Sequence, residues 1–326
     1  MKKVILSLFV AFMATVAIQA QQIAVVTENG ETTLFKTLDD AIKGAEPGSV
    51  IYLPGGGFPV SDETTITKKL TIIGIGHKVN GENADGYTTI TGNLYFNEGS
   101  NNSAVMGAYI TGDVFIGNDG KRVNDITVRY CNLRRVQVKN SACLGTVVNQ
   151  NYIRSSSIFN GAPGEFSNNV AYAVRDLNNG FIEYNVLLSR GAGSTGDIAG
   201  VCECKNSSIT NNLFYERYGC TDSSFDNNIM EASFHEDEFA ISYSGKWEDL
   251  FEKYPANLSS VSINSNNSYH FKGDFKQYDG QIGIFGGSSF DTNSLPPVPF
   301  ITFKEVADKT DAAGKLKINV RAKANN

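Results

Sequence analysis

The apolar residues in the middle of the chain recur in a short pattern. An apolar residue is followed three positions later by asparagine, and this pair returns at intervals of 16 to 38 residues. The copies are Val148 with Asn151, Phe166 with Asn169, Ile182 with Asn185, Ile209 with Asn212, Phe225 with Asn228, and Ile263 with Asn266. An earlier copy at Val128 has Cys131 in the asparagine position. A repeat this short predicts a stack of small structural units.

Two more columns appear when the copies are superimposed. Five residues before each apolar anchor lie mostly small or apolar residues: Val123, Cys143, Gly161, Leu177, Cys204, Cys220 and Leu258. Two residues after each asparagine position lie Leu133, Ile153, Ala171, Leu187, Phe214, Met230 and Ser268. The segments that carry these columns are short, alternate apolar with polar residues and are rich in Val, Ile, Phe and Tyr, which favours strands.

A unit of this length cannot bury its apolar column alone, so neighbouring units must stack above and below it. Stacking at about 4.8 Å pairs each strand with its equivalent in the next coil and predicts a parallel β-solenoid. Asparagine suits the recurrent position because its amide satisfies backbone groups in a tight turn, tolerates left-handed dihedrals and can donate to the asparagine of the next coil. We therefore interpret the asparagines as structural.

Both ends of the repeat have their own patterns. Thr37 can cap a short helix that ends at Pro47-Gly48 and whose apolar face is Leu38, Ala41, Ile42 and Ala45. Strands are expected to follow at residues 50–53 and 70–73. Near the C-terminus, residues 294–301 form a Pro-rich extended joint, and alternation at Leu316, Ile318, Val320 and Ala322 predicts a strand paired with residues 300–306. We expect this tail to cover the C-terminal edge of the solenoid.

Two N-terminal stretches accompany the asparagine pattern: FKTLDDAIKGAEPGSVIYLPGGGF, residues 35–58, and ITKKLTIIGIG, residues 66–76. In these features the chain resembles the right-handed parallel β-helix superfamily, often called pectin-lyase-like. The resemblance implies an all-β, right-handed parallel β-helix over residues 21–290, with the N-terminal helix plugging its open end and a β tail over residues 291–326. It leaves function open, because this architecture hosts lyases, hydrolases, adhesins and binding proteins.

No catalytic constellation of the family's known enzymes is recognisable. Polygalacturonase-like hydrolases combine an Asn-Thr-Asp motif with an Asp pair, but the one Asp pair here, Asp39-Asp40, lies on the capping helix. The Asp-His and Arg-x-Pro-x-x-Arg strings of pectate lyases are absent. His77, His235 and His270 are scattered and lack metal-binding spacing, so no cofactor is predicted. The acidic run 236–238 could alternatively bind calcium, but the loop pattern of a recognised calcium site is missing.

Charge and the N-terminus indicate export and exclude some partners. The 326-residue chain has a formal net charge of -6 and no basic run, which argues against nucleic acid as a partner. Lys2 and Lys3 precede an apolar stretch, residues 4–17, and the small residue Ala20 offers a cleavage site, which predicts a signal peptide over residues 1–20. No later stretch approaches the length of a membrane span. We expect a monomer that is secreted, periplasmic or on the cell surface, without membrane insertion.

Five cysteines leave at least one thiol unpaired within a monomer. Cys204 and Cys220 fall in the same column of adjacent coils, so their Cα atoms should lie about 5 Å apart. A disulfide and a stacked pair of reduced core thiols are both open. Cys202 should point the same way as Cys204 if the strand is regular.

Two insertions interrupt the repeat, at residues 190–200 and 232–257, and solenoid insertions often border a binding face. Both should leave the solenoid on the same side and flank the single coil between them, residues 215–218. The predicted substrate-binding residues are Arg190, Asp197, Tyr215, Tyr218, Glu236, Asp237 and Trp247, and the catalytic candidates are Glu216, Arg217 and His235. Aromatic faces beside acids and arginine suit a sugar chain. Alternatively, Trp247, Leu250 and Phe251 form a small core under the insertion.

Three functions follow from these features. The leading hypothesis is a secreted β-helix protein that binds extracellular polysaccharide or a cell-surface glycan without a standard catalytic set. The first alternative is a polysaccharide lyase or glycoside hydrolase with a non-standard site around Glu216 and Arg217. The second is a passive structural or adhesion scaffold.

Overall fold

The computed structural model describes residues 22–78, 86–189, 199–231, 240–243, 246–254, 263, 265–292, 295–297, 299–306, 315 and 317–324. The predicted signal peptide, residues 1–20, lies outside these ranges. Within them, most strands belong to three long sheets whose neighbouring strands are parallel, apart from an antiparallel hairpin at the start of one sheet. The chain visits the three sheets in turn, so each coil adds one strand to each sheet in a solenoid-like stack.

Sheet A comprises β1 (Ile23–Val26), β2 (Thr32–Phe35), β3 (Val50–Tyr52), β6 (Thr71–Ile73), β9 (Ala104–Met106), β12 (Thr127–Arg129), β15 (Thr146–Asn149), β18 (Gly164–Ser167), β21 (Phe181–Glu183), β24 (Ser208–Thr210) and β27 (Ser224–Asp226). Sheet B comprises β4 (Gly56–Pro59), β7 (Thr88–Thr91), β10 (Tyr109–Ile110), β13 (Asn132–Leu133), β16 (Tyr152–Ile153), β19 (Val170–Ala171), β22 (Val186–Leu187), β25 (Leu213–Phe214), β28 (Asn228–Glu231) and β29 (Ala240–Tyr243). Sheet C comprises β5 (Thr65–Ile66), β8 (Leu94–Phe96), β11 (Asp113–Ile116), β14 (Arg135–Val138), β17 (Ser157–Ile158), β20 (Val174–Arg175), β23 (Val201–Cys202) and β26 (Arg217–Tyr218).

The strand registers confirm the predicted stacking of apolar columns. Successive strands of sheet A align one file of anchors: Val105, Val128, Val148, Phe166, Ile182, Ile209 and Phe225. All except the half-buried Phe225 are fully buried. The file in sheet B is also fully buried: Leu133, Ile153, Ala171, Leu187, Phe214 and Met230. These files fill the space between the three sheets and form one continuous core.

The asparagines form a hydrogen-bonded ladder along the turn between sheets A and B. At each step the Oδ1 atom of one asparagine accepts from the backbone N–H and the Nδ2 group of the asparagine one coil earlier, at 2.9–3.1 Å. Each Nδ2 group also donates to a backbone carbonyl of the preceding coil at 2.7–2.9 Å. The ladder comprises Asn151, Asn169, Asn185, Asn212 and Asn228, all buried. The structural interpretation of these residues is confirmed.

The left-handed backbone conformation lies one residue earlier than expected. The residue before each ladder asparagine has positive φ: Gln150 at 56°, Asn168 at 49°, Tyr184 at 57°, Asn211 at 59° and Asn227 at 51°. The ladder positions therefore require asparagine for its amide hydrogen bonds, whereas the residue before each of them adopts the left-handed conformation of the turn.

The last predicted copy of the repeat, at Ile263 and Asn266, is not a coil. The strand after it, β31 (Ser268–Phe271), pairs antiparallel with β30 (Phe251–Lys253) and not with the three long sheets. Leu258, assigned to a column of this copy, lies outside the described residues. Part of the second insertion does extend the stack, because β29 pairs in parallel with β28 of sheet B.

The predicted N-terminal capping helix is confirmed as α1 (Leu38–Gly44). Thr37 is its N-cap, and the Thr37 hydroxyl accepts from the backbone N–H of Asp40 at 3.1 Å. Leu38, Ala41 and Ile42 are buried against the first coil of the main core. The hairpin of β1 and β2 pairs antiparallel with β3, so the first edge of sheet A is also covered.

A second core, which the repeat does not predict, covers the outer face of sheet B. Apolar side chains directly after the ladder asparagines point outward from this sheet: Tyr152, Val170, Val186, Leu213 and Ile229. The C-terminal part of the chain, which includes α2 (Trp247–Leu250) and a 3₁₀ helix (Gly273–Tyr278), packs over them with buried residues: Tyr243, Trp247, Leu250, Phe251, Tyr269, Phe271, Ile282, Ile284 and Phe290.

Residues 281–292 and 295–297 form a strap that runs back along the solenoid towards the N-terminus. Asn168 donates from Nδ2 to the carbonyls of Ile284 at 2.9 Å and Gly286 at 2.8 Å. Pro296 lies so close to Gly107, at φ 69°, that a Cβ there would fall 2.7 Å from the proline ring. The strap therefore ties coils together from the outside, across several turns of the stack.

The predicted C-terminal hairpin is present, but its expected location is wrong. Strands β32 (Pro299–Val306) and β33 (Ile318–Ala324) pair antiparallel. Pro299 and Ile301 line a small cavity together with Ala24 and Tyr52, which belong to the first strands of sheet A. The tail thus reaches the N-terminal end of the solenoid, because the strap has already carried the chain back along its length. Among the described residues, no helix is long and apolar enough to cross a membrane.

We expect Asn185→Ala to destabilise the protein by about 2–5 kcal/mol, because it leaves the backbone N–H and Nδ2 group of Asn169 buried without their acceptor. Equilibrium unfolding in guanidinium chloride measures this loss. The control is Asn118→Ala, which removes an exposed amide outside the ladder. An equal stability for the two variants would contradict the structural role of the ladder.

His77 gives a pH-dependent prediction. Its ring is buried, meets Tyr152 edge-on at 5.4 Å, and finds no hydrogen-bond partner for either nitrogen among the described residues. Burial, aided by Lys78, lowers the pKa of His77 to about 3. Because the unfolded chain then binds more protons, stability falls as pH drops from about 6.5 towards 3, by about 3 kcal/mol between pH 7 and pH 4. In His77→Phe this part of the pH dependence should vanish, as measured by urea unfolding at both pH values; an unchanged slope would refute it.

Candidate functional site

Arg217, a predicted catalytic residue, packs at the end of the main core. Its backbone pairs with Val201, which is fully buried in the interior column of sheet C. The Arg217 guanidinium lies 4.2 Å from the centre of the Phe225 ring, and Phe225 is the last anchor in the file of sheet A. The stem and planar head group of Arg217 thus cover apolar surface that lacks a further coil among the described residues.

The other residues of the coil between the two insertions, residues 215–218, lie on different sides of the solenoid. Tyr218, the residue after Arg217, points outward from sheet C and is 42% exposed. Tyr215 packs against the second core beside sheet B. Glu216 lies in the turn between the two sheets, and its carboxylate Oε2 atom is buried. Tyr218 is the most exposed of the four residues 215–218.

Trp247 belongs to the second core, as the alternative interpretation predicts. It is 3% exposed, and its ring stacks on Tyr243 at 5.8 Å and on Phe251 at 6.4 Å. Leu250 is buried in the same cluster. Almost none of the indole is accessible, so Trp247 offers no open ring face to a sugar in this arrangement.

Five predicted site residues lie outside the described part of the chain: Arg190, Asp197, His235, Glu236 and Asp237. The prediction that the two insertions flank residues 215–218 and form a binding site with them therefore stays a prediction. Where the structure describes the chain, no three Asp, Glu, His or Cys side chains are grouped as metal ligands.

Tyr218 is the last member of a file of outward residues along sheet C, which we call the sheet C strip. The strand registers align Thr65, Tyr95, Phe115, Gln137, Ile158, Arg175, Cys202 and Tyr218. Six coil steps separate Tyr95 from Tyr218, which corresponds to about 29 Å along the stack. Gln137 and Cys202 are buried within this file, so the strip offers an elongated but interrupted surface of aromatic, aliphatic and charged groups.

Two stacked aromatic rings form the N-terminal part of the sheet C strip. Tyr95 and Phe115 lie 5.0 Å apart with an interplanar angle of 7°. The ammonium group of Lys139 lies 5.4 Å from the centre of the Phe115 ring. The hydroxyl of Tyr95 donates to Asp62 at 3.2 Å and accepts from Asn93 at 3.2 Å. Ring faces and directed hydrogen-bonding groups thus alternate over a short distance.

Asp113 organises the arginines beside these rings. Its fully buried carboxylate accepts from Arg134 at 2.6 and 2.8 Å and from Arg135 at 2.9 Å. Burial alone would raise the pKa of the Asp113 carboxyl, but the hydrogen bonds and charges of the two arginines outweigh it and hold the pKa below its ordinary value. The two guanidinium groups share one carboxylate, so the cluster keeps a net positive charge and fixed donor directions.

A second charged cluster lies at the C-terminal part of the strip. Arg175 forms ion pairs with Glu203 and with Asp176, the latter at 3.2 Å. Both acids adopt left-handed turn conformations, with φ of 54° and 55°. Arg175 and Tyr218 flank Cys202 in the strip. Because two acids surround one arginine, these three side chains together carry a net negative charge.

All five cysteines are described, and none forms a disulfide. The structure thus agrees with the stacked-thiol alternative for Cys204 and Cys220. A hydrogen bond to Cys220, together with burial, raises the pKa of the Cys204 thiol. Cys202 does not point the same way, because the left-handed Glu203 between the two residues interrupts the strand alternation.

Reasoning from the sequence missed the sheet C strip, although a signal for it exists. Tyr95 lies between the buried Leu94 and Phe96, and Phe115 occupies the same outward position one coil later. An aromatic residue at the polar position of an alternating strand indicates an exposed ring. The asparagine repeat starts only after these coils, so an alignment on asparagine does not include them.

Comparison of the chain with protein-family models, with curated proteins and with solved structures finds no match.

We expect Asp113→Asn to reduce the free energy of unfolding at pH 7 by about 1–3 kcal/mol, because two arginines lose their charged acceptor. The pKa of Asp113 is lower in the folded state than in the unfolded chain. The ionised carboxylate therefore stabilises the fold at pH values above the ordinary pKa of aspartate, and this stabilisation is lost as the pH falls through the folded-state pKa. The difference in the free energy of unfolding between wild type and variant should therefore decrease below about pH 3.8. Urea unfolding at a series of pH values measures it, with the exposed Asp274→Asn as control; a constant gap would contradict the assignment.

Proposed function

We propose that this protein is exported and binds polysaccharide along the sheet C strip. The observation that carries the proposal is the stacked pair Tyr95 and Phe115 at the head of the sheet C strip, whose half-buried and exposed members continue through Ile158 and Arg175 to Tyr218. Sugar rings stack their apolar faces on aromatic rings, while their hydroxyls need directed donors and acceptors. An extended strip suits a polymer better than a small, enclosed ligand.

The charged groups beside the rings support recognition of a polar chain. Arg134 is about half exposed although it is fixed to Asp113, so its remaining donors can reach a ligand. Lys139 and the Tyr95 hydroxyl stand on either side of the ring pair. Groups held by hydrogen bonds before the ligand arrives lose little conformational freedom on binding.

The fold and the N-terminus support the context of this proposal. The parallel coils, the N-terminal cap and the asparagine ladder are compatible with a right-handed β-helix of the pectin-lyase-like superfamily, since parallel crossovers are nearly always right-handed. The charged and apolar pattern of residues 1–20 supports export, where polysaccharides are accessible. A catalytic site at Glu216 and Arg217 has weaker support, because Arg217 covers the end of the core.

The double variant Tyr95→Ala/Phe115→Ala should lose tenfold or more of the polysaccharide affinity, because it removes the apolar surface that the ring pair leaves open to a sugar. Affinity gel electrophoresis against neutral and acidic polysaccharides identifies the ligand and measures the loss. Tyr52→Ala, which removes an exposed ring from sheet A, is the matched control and should bind as wild type does. Circular dichroism checks that each variant is folded.

Two results would overturn this proposal. If no polysaccharide retards the wild type, the passive scaffold becomes the better hypothesis. If the double variant is retarded as strongly as wild type, polysaccharide binds elsewhere on the molecule. Release of unsaturated products or reducing ends during the same incubations would favour the enzyme alternative.

A further inference from the structure

A depression of about 490 Å³ lies on the outer face of sheet A near its C-terminal end. Its lining combines one aromatic ring with amide, hydroxyl and carboxylate groups: Asn179, Phe181, Asn206, Ser208, Asp222 and Ser224. These residues come from three successive coils, at and just after the turn that enters sheet A. The depression is on a different sheet from the sheet C strip, so its ligand would be bound independently.

Phe181 has no packing role that explains it. Its position in sheet A points away from the core and aligns with Glu165 in the coil before and with Ser208 and Ser224 in the coils after. The ring is 55% exposed and contributes to neither core. An exposed phenyl ring among polar side chains offers a flat apolar surface with hydrogen-bonding groups around it, which is the composition of a sugar-binding platform.

A row of turn residues borders the ring. Asn179, Asn206 and Asp222 occur one per coil and have left-handed φ values of 54°, 48° and 52°. Turn geometry alone accounts for Asn or Asp at such positions. The shared geometry also places three exposed amide or carboxylate groups in register along one side of Phe181.

Carboxylates lie on the other sides of the ring. Glu165, directly below Phe181, accepts a hydrogen bond from Ser167, and Glu183 lies near the hydroxyl of Thr210 at 3.5 Å. Burial and, to a lesser extent, the charge of Glu165 raise the pKa of the Glu183 carboxyl. Asp222 lines the depression itself, Glu165 and Glu183 stand beside Phe181 on sheet A, and Asp226 follows in the file of Glu183, while the turns beside these strands carry Lys205. This balance repels uronic acids and favours ligands that donate hydrogen bonds.

We propose that the Phe181 depression is a second glycan site and that it binds hexosamine residues, with the sugar face on Phe181 and the nitrogen substituent directed to the carboxylates. An acetamido N–H can donate to a carboxylate oxygen, and a free amine can in addition form an ion pair. A glycan of uronic acids would place its own carboxylates against Glu165, Glu183 and Asp222.

Calorimetric titration with three hexamers tests the site: N-acetylglucosamine, glucosamine and galacturonic acid. We expect both hexosamine probes to bind wild type and to lose at least tenfold in affinity in Phe181→Ala. Leu144→Ala, which removes another exposed apolar side chain, should bind as wild type does. Phe181→Trp should retain binding, since the larger ring keeps the platform.

The double variant Glu165→Gln/Glu183→Gln separates the charge from the ring. It should reduce the affinity for the glucosamine hexamer at least fivefold more than the affinity for the N-acetylglucosamine hexamer, because only the free amine forms an ion pair. The Tyr95→Ala/Phe115→Ala variant should still bind both hexosamine probes, so a failure of the sheet C strip does not affect this test. Absence of binding by both hexosamine probes, unchanged affinity in Phe181→Ala, or preferred binding of the galacturonic acid hexamer would each overturn the proposal.

Discussion

Each asparagine of the ladder joins neighbouring coils through one amide group. From Asn169 onwards its oxygen accepts two hydrogen bonds from the coil before, and its nitrogen donates to a carbonyl of that coil and, within the ladder, to the next asparagine. Because the amide is buried, losing one partner would leave several polar groups unsatisfied at once. The spacing and register of the coils therefore depend on an uninterrupted file, and the surfaces on sheets A and C depend on that register for their alignment.

The ladder also organises the outside of the molecule. The residue after each ladder asparagine points away from the core, and from Tyr152 onwards this residue is apolar. The same backbone turn thus directs one apolar file outward beside the ladder, and the C-terminal part of the chain covers it. Two cores on opposite faces of sheet B share its strands, so that sheet is buried on both sides over these coils.

The residue pattern predicted the periodic part of the structure and failed where periodicity ends. Anchors, ladder and capping helix follow from local rules, since a buried column and an N-cap each leave a fixed spacing. The copy at Ile263 failed because two matching residues do not determine which strand they pair with. At the candidate site, the repeat spacing placed both Tyr218 and Arg217 on the surface. It could not show that Arg217 covers the end of the core, because a terminal coil can fill an interior position with a charged side chain. The apolar residue after each asparagine was the available sign of the second core.

Covering sheet B restricts where a ligand can bind along the coils that carry the ladder. The strap and the second core occupy that face and the turn beside the ladder, so the outward residues of sheets A and C remain as the accessible surfaces in the described part of these coils. The two surfaces differ in chemistry: arginines around Asp113 and stacked rings on sheet C, acids around a single ring on sheet A. A solenoid keeps such surfaces independent, because side chains on different sheets are separated by the core and neighbours in one file interact mainly across adjacent coils. One rigid stack can thereby present two different recognition surfaces without a second domain.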